Sequence, residues 1–128
     1  MKASIEKLNI IIEKSLIFLE AKTSYVAVFL ISASEMRKLN RMYRGKDKPT
    51  NVLAFPFPED FPSPKPGKKR FLGEIYLSPR YIKDHGENLE YMLIHGLLHL
   101  LGFNHIKKND RMTMQRLERS LMETISNN

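Results

Sequence analysis

The 128-residue sequence contains no cysteine, no tryptophan and no long uninterrupted apolar run. Without cysteine there can be no disulfide, iron–sulfur cluster, thiol nucleophile or cysteine-ligated zinc, so a metal site must use histidines and carboxylates. No stretch of about 20 apolar residues is available to span a membrane. Residues 5–19 are apolar but interrupted by charges, whereas a signal peptide needs an unbroken apolar region. We therefore expect a cytoplasmic protein without membrane contacts.

The composition is that of one packed domain covering residues 1–128. Hydrophobic residues make up 42% of the chain, which separates it from disordered sequences of low hydrophobicity. Lysine and arginine number 21 against 14 acidic residues, giving a formal charge of +7. This excess favours polyanionic partners, although solubility alone also explains a modest positive charge.

Apolar periodicity and capping residues predict the helices. Ser32 and Glu35 have the spacing of a capping box, and Gly45 follows the last helical position of the same segment. The other helices are predicted from apolar residues that recur at helical spacing or from a capping asparagine. The predicted helices cover residues 5–19, 33–44, 79–85, 89–101 and 110–125.

Three segments rich in β-branched and aromatic residues predict strands, at residues 23–31, 52–55 and 71–77. With helices at both ends of the chain, this order predicts an α+β fold: a small mixed sheet of about four strands flanked by helices.

The segment that joins the second and third of these strands is rich in proline, and five of the seven prolines lie at 56–66. Proline forbids a helix there and favours a loop. Its second half is basic, through Lys65, Lys68, Lys69 and Arg70. This loop is either an ordinary solvated loop or a nucleic-acid contact.

Three histidines lie within eleven residues, at His95, His99 and His105. The first two are four residues apart, which places both imidazoles on one face of a helix. Gly102 can end that helix and let the chain return, so that His105 reaches the same ion. Three imidazoles leave one coordination position open, as in catalytic zinc sites. The ligand set suits Zn²⁺ and also other divalent transition metals.

The histidine spacing is that of the metzincin peptidases, with one change. Gly96 occupies the position of the glutamate that serves those enzymes as general base. Glycine cannot transfer a proton, so peptide hydrolysis by the usual route loses its base.

Basic residues are dense in the second helix and its exit, and most of them fit a solvated helix face. Arg44 differs because it lies where the helix gives way to a loop that leads into a strand. Its planar guanidinium could bind a phosphate or offset charge during phosphoryl transfer. The six basic residues are Arg37, Lys38, Arg41, Arg44, Lys46 and Lys48.

Several blocks resemble the YbeY family. Residues 39–57 resemble its conserved Y-R-x-K-D-x-P-T-(D/N)-V-L-S-F-P block, and residues 72–75 resemble its L-G-D-I strand. Residues 95–105 resemble its H-G-x-L-H-L-x-G-Y-D-H motif. Met114 and Glu118 match a weaker M-x-x-x-E pattern.

The resemblance implies a bacterial, zinc-dependent, single-strand-specific endoribonuclease. Members of the family mature the 3′ end of 16S rRNA and act in ribosome quality control. By position, His95, His99 and His105 would bind one Zn²⁺, or another divalent metal, on a metzincin-like histidine helix. Arg44 would be the functional arginine of a basic cleft. Implied partners are ribosomal RNA, the small ribosomal subunit and the Era GTPase.

Lys46 and Lys48 are candidates for holding the RNA backbone together with Arg44, through electrostatic contacts that weaken with salt.

Three positions depart from the family pattern. Phe103–Asn104 replaces Tyr–Asp and removes a carboxylate beside the third histidine, while Glu74 replaces Asp and Ala54 replaces Ser. Glu118 is either a carboxylate partner for a metal-binding histidine or a surface residue of the last helix.

Two other functions compete with the ribonuclease. One is a non-catalytic ribosome-assembly or RNA-binding factor in which the metal is structural. The other is a metallopeptidase, which the histidine spacing favours and Gly96 opposes.

Overall fold

A computed structural model of the chain describes residues 2–58, 68–103 and 108–126. Within those ranges the predicted helices and strands are all present, with boundaries close to the predicted ones. In chain order the elements are α1 (Lys2–Phe18), β1 (Ser24–Leu30), α2 (Ala33–Arg44), β2 (Val52–Pro56), β3 (Arg70–Leu77), α3 (Pro79–Asp84), α4 (Leu89–Leu100) and α5 (Lys108–Ser126).

The sheet is mixed, as predicted, but the described residues form three strands and not about four. The strand order is β1-β3-β2, with β1 parallel and β2 antiparallel to the central β3. Each of the three β-rich segments supplies one strand, and the rest of the described chain forms helices and loops. The expected fourth strand had no β-rich segment of its own.

Helix α4 is the central helix and packs against the sheet. It is apolar nearly all round, and Leu93, Ile94 and Leu97 are fully buried. They form one hydrophobic core with Ile75 of β3 and with Leu8 of α1. Helix α5 adds Met114 and Leu121 to the same core. Among the described residues, no helix combines the length and the apolar character needed to cross a bilayer.

Helix α2 is capped at both ends by the residues that the sequence predicts. The Ser32 side chain accepts a hydrogen bond from the backbone N–H of Glu35, and the Glu35 side chain accepts one from the backbone N–H of Ser32. Gly45 ends the helix in the left-handed conformation, with φ 70°. This C-cap turns the chain directly after Arg44, so that Arg44 projects from the last helical position.

Strand β2 leaves no room for a side chain at Gly73 of β3. A Cβ added at this glycine would lie 2.3 Å from the carbonyl oxygen of Phe55 and 2.9 Å from Cα of Pro56. Its φ of 145° is also one that residues with a side chain rarely adopt. The parallel register with β1 shifts beside it, between Tyr25 and Val26. Gly73 therefore fixes how closely β2 lies against the central strand.

Candidate functional site

Two of the three predicted ligands, His95 and His99, lie on one face of α4. Their Nε2 atoms are 3.1 Å apart and their ring centroids 4.6 Å apart. The four-residue spacing of the sequence accounts for this pairing, because residues one helical turn apart are neighbours on the helix surface. The two imidazoles thus converge through the nitrogen atoms that a metal ion would need.

The opposite edge of the His95 ring is bonded to Glu118 of α5. Nδ1 of His95 lies 2.6 Å from Oε2 of Glu118, and the Tyr91 hydroxyl donates to Oε1 of the same carboxylate at 2.7 Å. Glu118 is 2% exposed, so of the two alternatives that the sequence left open the surface glutamate is wrong. Burial, followed by the bond to Glu118, raises the pKa of Tyr91 to about 12. Tyr91 therefore stays a neutral donor at physiological pH.

A cleft of about 390 Å³ brings Arg44 together with the histidine pair. Arg44 lines it from the end of α2, residues 52–54 and Pro56 from β2, and His95 and His99 from α4. Arg44 lies far from the histidines in sequence, and the fold brings them to the lining of the same cavity. Arg44, singled out as a phosphate-binding candidate, and two of the three metal-binding candidates, His95 and His99, thus line one cavity.

Gly96 has a packing role that the sequence comparison with peptidases did not suggest. A Cβ at this position would lie 3.0 Å from Cγ2 of Ile75 and 3.2 Å from Cγ2 of Val52. These contacts are tighter than ordinary van der Waals distances, so the helix lies directly on the sheet at this point. A glutamate here would have to displace the strands, which argues against a peptidase-like general base at position 96.

A second recess, of about 340 Å³, lies on the α5 side of His95. It shares Asn51 and His95 with the cleft and is otherwise lined by Tyr91, Glu118 and neighbouring residues of α4 and α5. Asn51 is a site residue that the motif analysis did not single out. Its side chain donates to Glu87 at 3.1 Å and accepts from the Val52 backbone N–H at 2.7 Å, which anchors the start of β2.

The basic residues of α2 and its exit fall into two groups. Arg37 makes two bonds to Asp47, at 2.8 and 3.1 Å, and Arg41 lies 3.7 Å from the same carboxylate. The bond from Arg37 lowers the pKa of Asp47 below its ordinary value.

By contrast, Arg44, Lys46 and Lys48 are exposed, and no ion pair involves them within the described ranges. The loop that carries the two lysines is held by the buried Asn40, which donates to the Lys48 carbonyl at 2.8 Å. Of these three cations, Arg44 lines the cleft, and the two lysines follow it in the loop between α2 and β2.

Some of the predicted residues lie outside the described part of the chain. The third histidine ligand, His105, the neighbouring Asn104 and the loop residue Lys65 belong to this group. Within the described residues, no group of three or more His, Asp or Glu side chains is arranged to hold a metal ion.

The fold and the site define a small α+β domain whose central helix presents two histidines to an arginine-edged cleft. A family model described as "Endoribonuclease YbeY" matches residues 2–126. The chain therefore belongs to the YbeY family, as its motifs predicted.

Two curated relatives carry the same name, Endoribonuclease YbeY. That from Chelativorans sp. (strain BNC1) is 37% identical over 109 residues, and that from Chromohalobacter salexigens is 38% identical over 105 residues. The matches cover 79% and 76% of this chain, and 66% of each relative. The chain thus spans just under two thirds of the length of these relatives.

A solved structure has a similar fold. The solution structure of TM1509 from Thermotoga maritima superposes with a TM-score of 0.56 at 29% sequence identity. The match covers 97% of this chain and 79% of that protein.

Proposed function

We propose that this protein is a metal-dependent endoribonuclease that cleaves single-stranded ribosomal RNA. The observation that carries the proposal is the cleft in which Arg44 and the pair His95–His99 line one cavity. The names of the family and of its two relatives support the ribonuclease activity. The positive charge of +7 supports an RNA substrate, since phosphates attract the lysines and arginines.

The described donor atoms fit a divalent transition metal. His95 and His99 converge through Nε2 at 3.1 Å, and neutral imidazole is a preferred ligand of zinc. We propose that these two residues and His105 hold one Zn²⁺, or another divalent ion. When bound, such an ion would supply Lewis-acid activation of a phosphate oxygen or of water.

Arg44 performs the electrostatic part of the reaction in this proposal. Arg44 lines the cleft, and no ion pair within the described ranges involves it, so binding of a phosphate oxygen by its guanidinium breaks none of the described salt bridges. As the P–O bond breaks, negative charge grows on the phosphoryl oxygens, and a fixed cation beside them lowers the barrier. Lys46 and Lys48 hold the adjacent RNA backbone.

We further propose a cytoplasmic role in maturation of the 3′ end of 16S rRNA and in ribosome quality control. The partners are then the small ribosomal subunit, its RNA and the Era GTPase. This assignment is supported by family membership alone.

Charge reversal at Arg44 tests the proposal. The variant Arg44→Glu should cleave a single-stranded ribosomal RNA fragment at least about 100-fold more slowly, the scale of losing one charge-stabilising donor. Its metal content should match that of the wild type. The control is Lys38→Glu, which makes the same charge change at another exposed position of α2 and should leave the rate within about threefold.

Retained cleavage in Arg44→Glu would remove Arg44 from the mechanism. A wild-type protein that binds metal and RNA but leaves the RNA intact would favour the non-catalytic assembly factor. Both measurements require preparations free of contaminating nuclease. A His95→Ala variant purified in parallel is the control for such contamination.

A further inference from the structure

We propose that Tyr91 and Glu118 are positioning residues that hold His95 in the orientation and tautomer required for metal binding. This inference rests on the proposed function, because it concerns the metal site of the same cleft. Its physical basis is the chain of hydrogen bonds from Tyr91 through the buried Glu118 to His95.

The carboxylate of Glu118 selects the tautomer of His95. A carboxylate only accepts hydrogen bonds, so Nδ1 of His95 must carry the proton that bridges the 2.6 Å contact. In neutral imidazole the second nitrogen is then an acceptor. Nε2, the atom 3.1 Å from Nε2 of His99, thereby keeps the lone pair that a metal ion would take.

Tyr91 fixes the carboxylate itself. Its hydroxyl bonds the second oxygen of Glu118 at 2.7 Å, so both oxygens of the buried group have a partner and neither can rotate away without losing one. Tyr91 and His95 are one helical turn apart on α4, while Glu118 comes from α5. Two side chains of α4 therefore bond the same carboxylate of α5.

The ring of His95 separates the two cavities of the site. It lines both the recess, which also contains Tyr91 and Glu118, and the cleft, which also contains Arg44 and His99. Its side chain is 27% exposed, whereas that of Glu118 is 3% exposed. One edge of the ring thus faces the buried Glu118, and the other edge faces His99.

Stability alone does not account for this arrangement. Apolar side chains, including Met114 and Leu121, already join α5 to the core. A buried carboxylate carries a desolvation cost, and apolar groups of similar size are often as good for stability. Outer hydrogen-bond partners of metal-binding histidines, by contrast, commonly raise ligand basicity and fix ring orientation.

The test compares Glu118→Gln and Tyr91→Phe with the wild type and with Glu123→Gln, a matched change at an exposed position of α5. Zn²⁺ affinity is measured by competition with a chromogenic chelator. The tautomer of His95 is read from its ring nitrogen shifts by NMR in the metal-free protein. Both nearly isosteric changes are expected to keep the fold, which circular dichroism checks.

Glu118→Gln should weaken Zn²⁺ binding about 10- to 100-fold and make the two neutral tautomers of His95 comparable in population. Tyr91→Phe should shift both readouts in the same direction by a smaller factor, and Glu123→Gln should shift neither. A lower melting temperature with unchanged affinity and an unchanged tautomer would overturn the inference and leave a structural role.

The inference and the proposed function can fail separately. If wild-type protein binds no Zn²⁺, the metal-dependent function fails. If it binds Zn²⁺ equally well with and without the Glu118 carboxylate, and His95 keeps its tautomer, the proposed function stands and the positioning role is wrong.

Discussion

Two carboxylates of this protein receive similar hydrogen bonds in opposite environments. Glu118 accepts from Tyr91 and His95 at 2.7 and 2.6 Å, with its side chain 3% exposed. Asp47 accepts two bonds from Arg37 at 2.8 and 3.1 Å, with its side chain 52% exposed. Judged by hydrogen-bond length alone, the two carboxylates should contribute similarly to stability.

Burial makes the difference between them. When Asp47 loses its partner, water replaces the lost hydrogen bonds, and salt already screens the attraction. When a partner of Glu118 is lost, the buried carboxylate is less accessible to water than Asp47, so more of its desolvation cost stays unmet. The same type of bond should therefore contribute unequally to stability, and three substitutions test this.

The largest effect is expected for Glu118→Ala. This change leaves the Tyr91 hydroxyl and Nδ1 of His95 without their acceptor and opens a cavity beside Met114. The free energy of unfolding should fall by about 3 kcal/mol, because two polar groups lose their acceptor and a cavity is left in place of the side chain. Urea unfolding followed by circular dichroism measures it, and a loss below about 1 kcal/mol would mean that water already reaches the site.

An intermediate effect is expected for Tyr91→Phe, which removes one hydroxyl from the same bonds. The loss should be about 1 kcal/mol at neutral pH. The pKa of Tyr91 is raised to about 12 from an ordinary value of 10, so its neutral form is favoured in the folded state. Its contribution is therefore complete below pH 10 and is lost as the pH rises from 10 to 12.

Absorbance titration of the tyrosines checks this directly. The wild type should show a tyrosine that ionises near pH 12, and Tyr91→Phe should lack it. Because burial also raises the pKa of Tyr76, one late-titrating tyrosine can remain in the variant, and an unchanged number of late-titrating tyrosines would mean that the assignment to Tyr91 is wrong.

The smallest effect is expected for Asp47→Asn. The pKa of Asp47 is lowered by Arg37, so whatever stability the pair contributes is present at neutral pH and is lost as the pH falls through that lowered pKa. Because both groups are exposed, the urea midpoint at pH 7 should not differ measurably between the wild type and Asp47→Asn. The two midpoints should also stay equal when salt is added. A clear shift at pH 7 would show that exposure does not separate the two carboxylates.

The sequence predicted the elements of the fold better than the contacts between them. Local signals were sufficient for the helices: the Ser32–Glu35 box and Gly45 bound α2 as expected. They were also sufficient for the pairing of His95 and His99, which depends only on helical geometry. The sheet was less predictable, because the number of strands and their order depend on which distant segments pair.

Other features of the site depend on contacts between elements that are distant in sequence. Glu118 is 23 residues from His95, and helical periodicity on α5 does not say which helix face meets α4. The close contact of Gly96 with Val52 and Ile75 likewise depends on how α4 lies on the sheet. The position of Arg44 at the end of α2 and the resemblance to a family both indicated it as a site residue, whereas the cavity that unites it with the histidines is visible only in three dimensions.

The close strand contact at Gly73 has a consequence for how this chain can vary. Any larger residue there would force β2 away from β3, and β2 forms one wall of the cavity that holds Arg44 and the histidine pair. In a library that randomises position 73, selection for activity should thus recover glycine almost alone, even though this residue touches neither substrate nor ion. Position 73 therefore cannot vary neutrally, because a side chain there would move β2 and change the shape of the cavity.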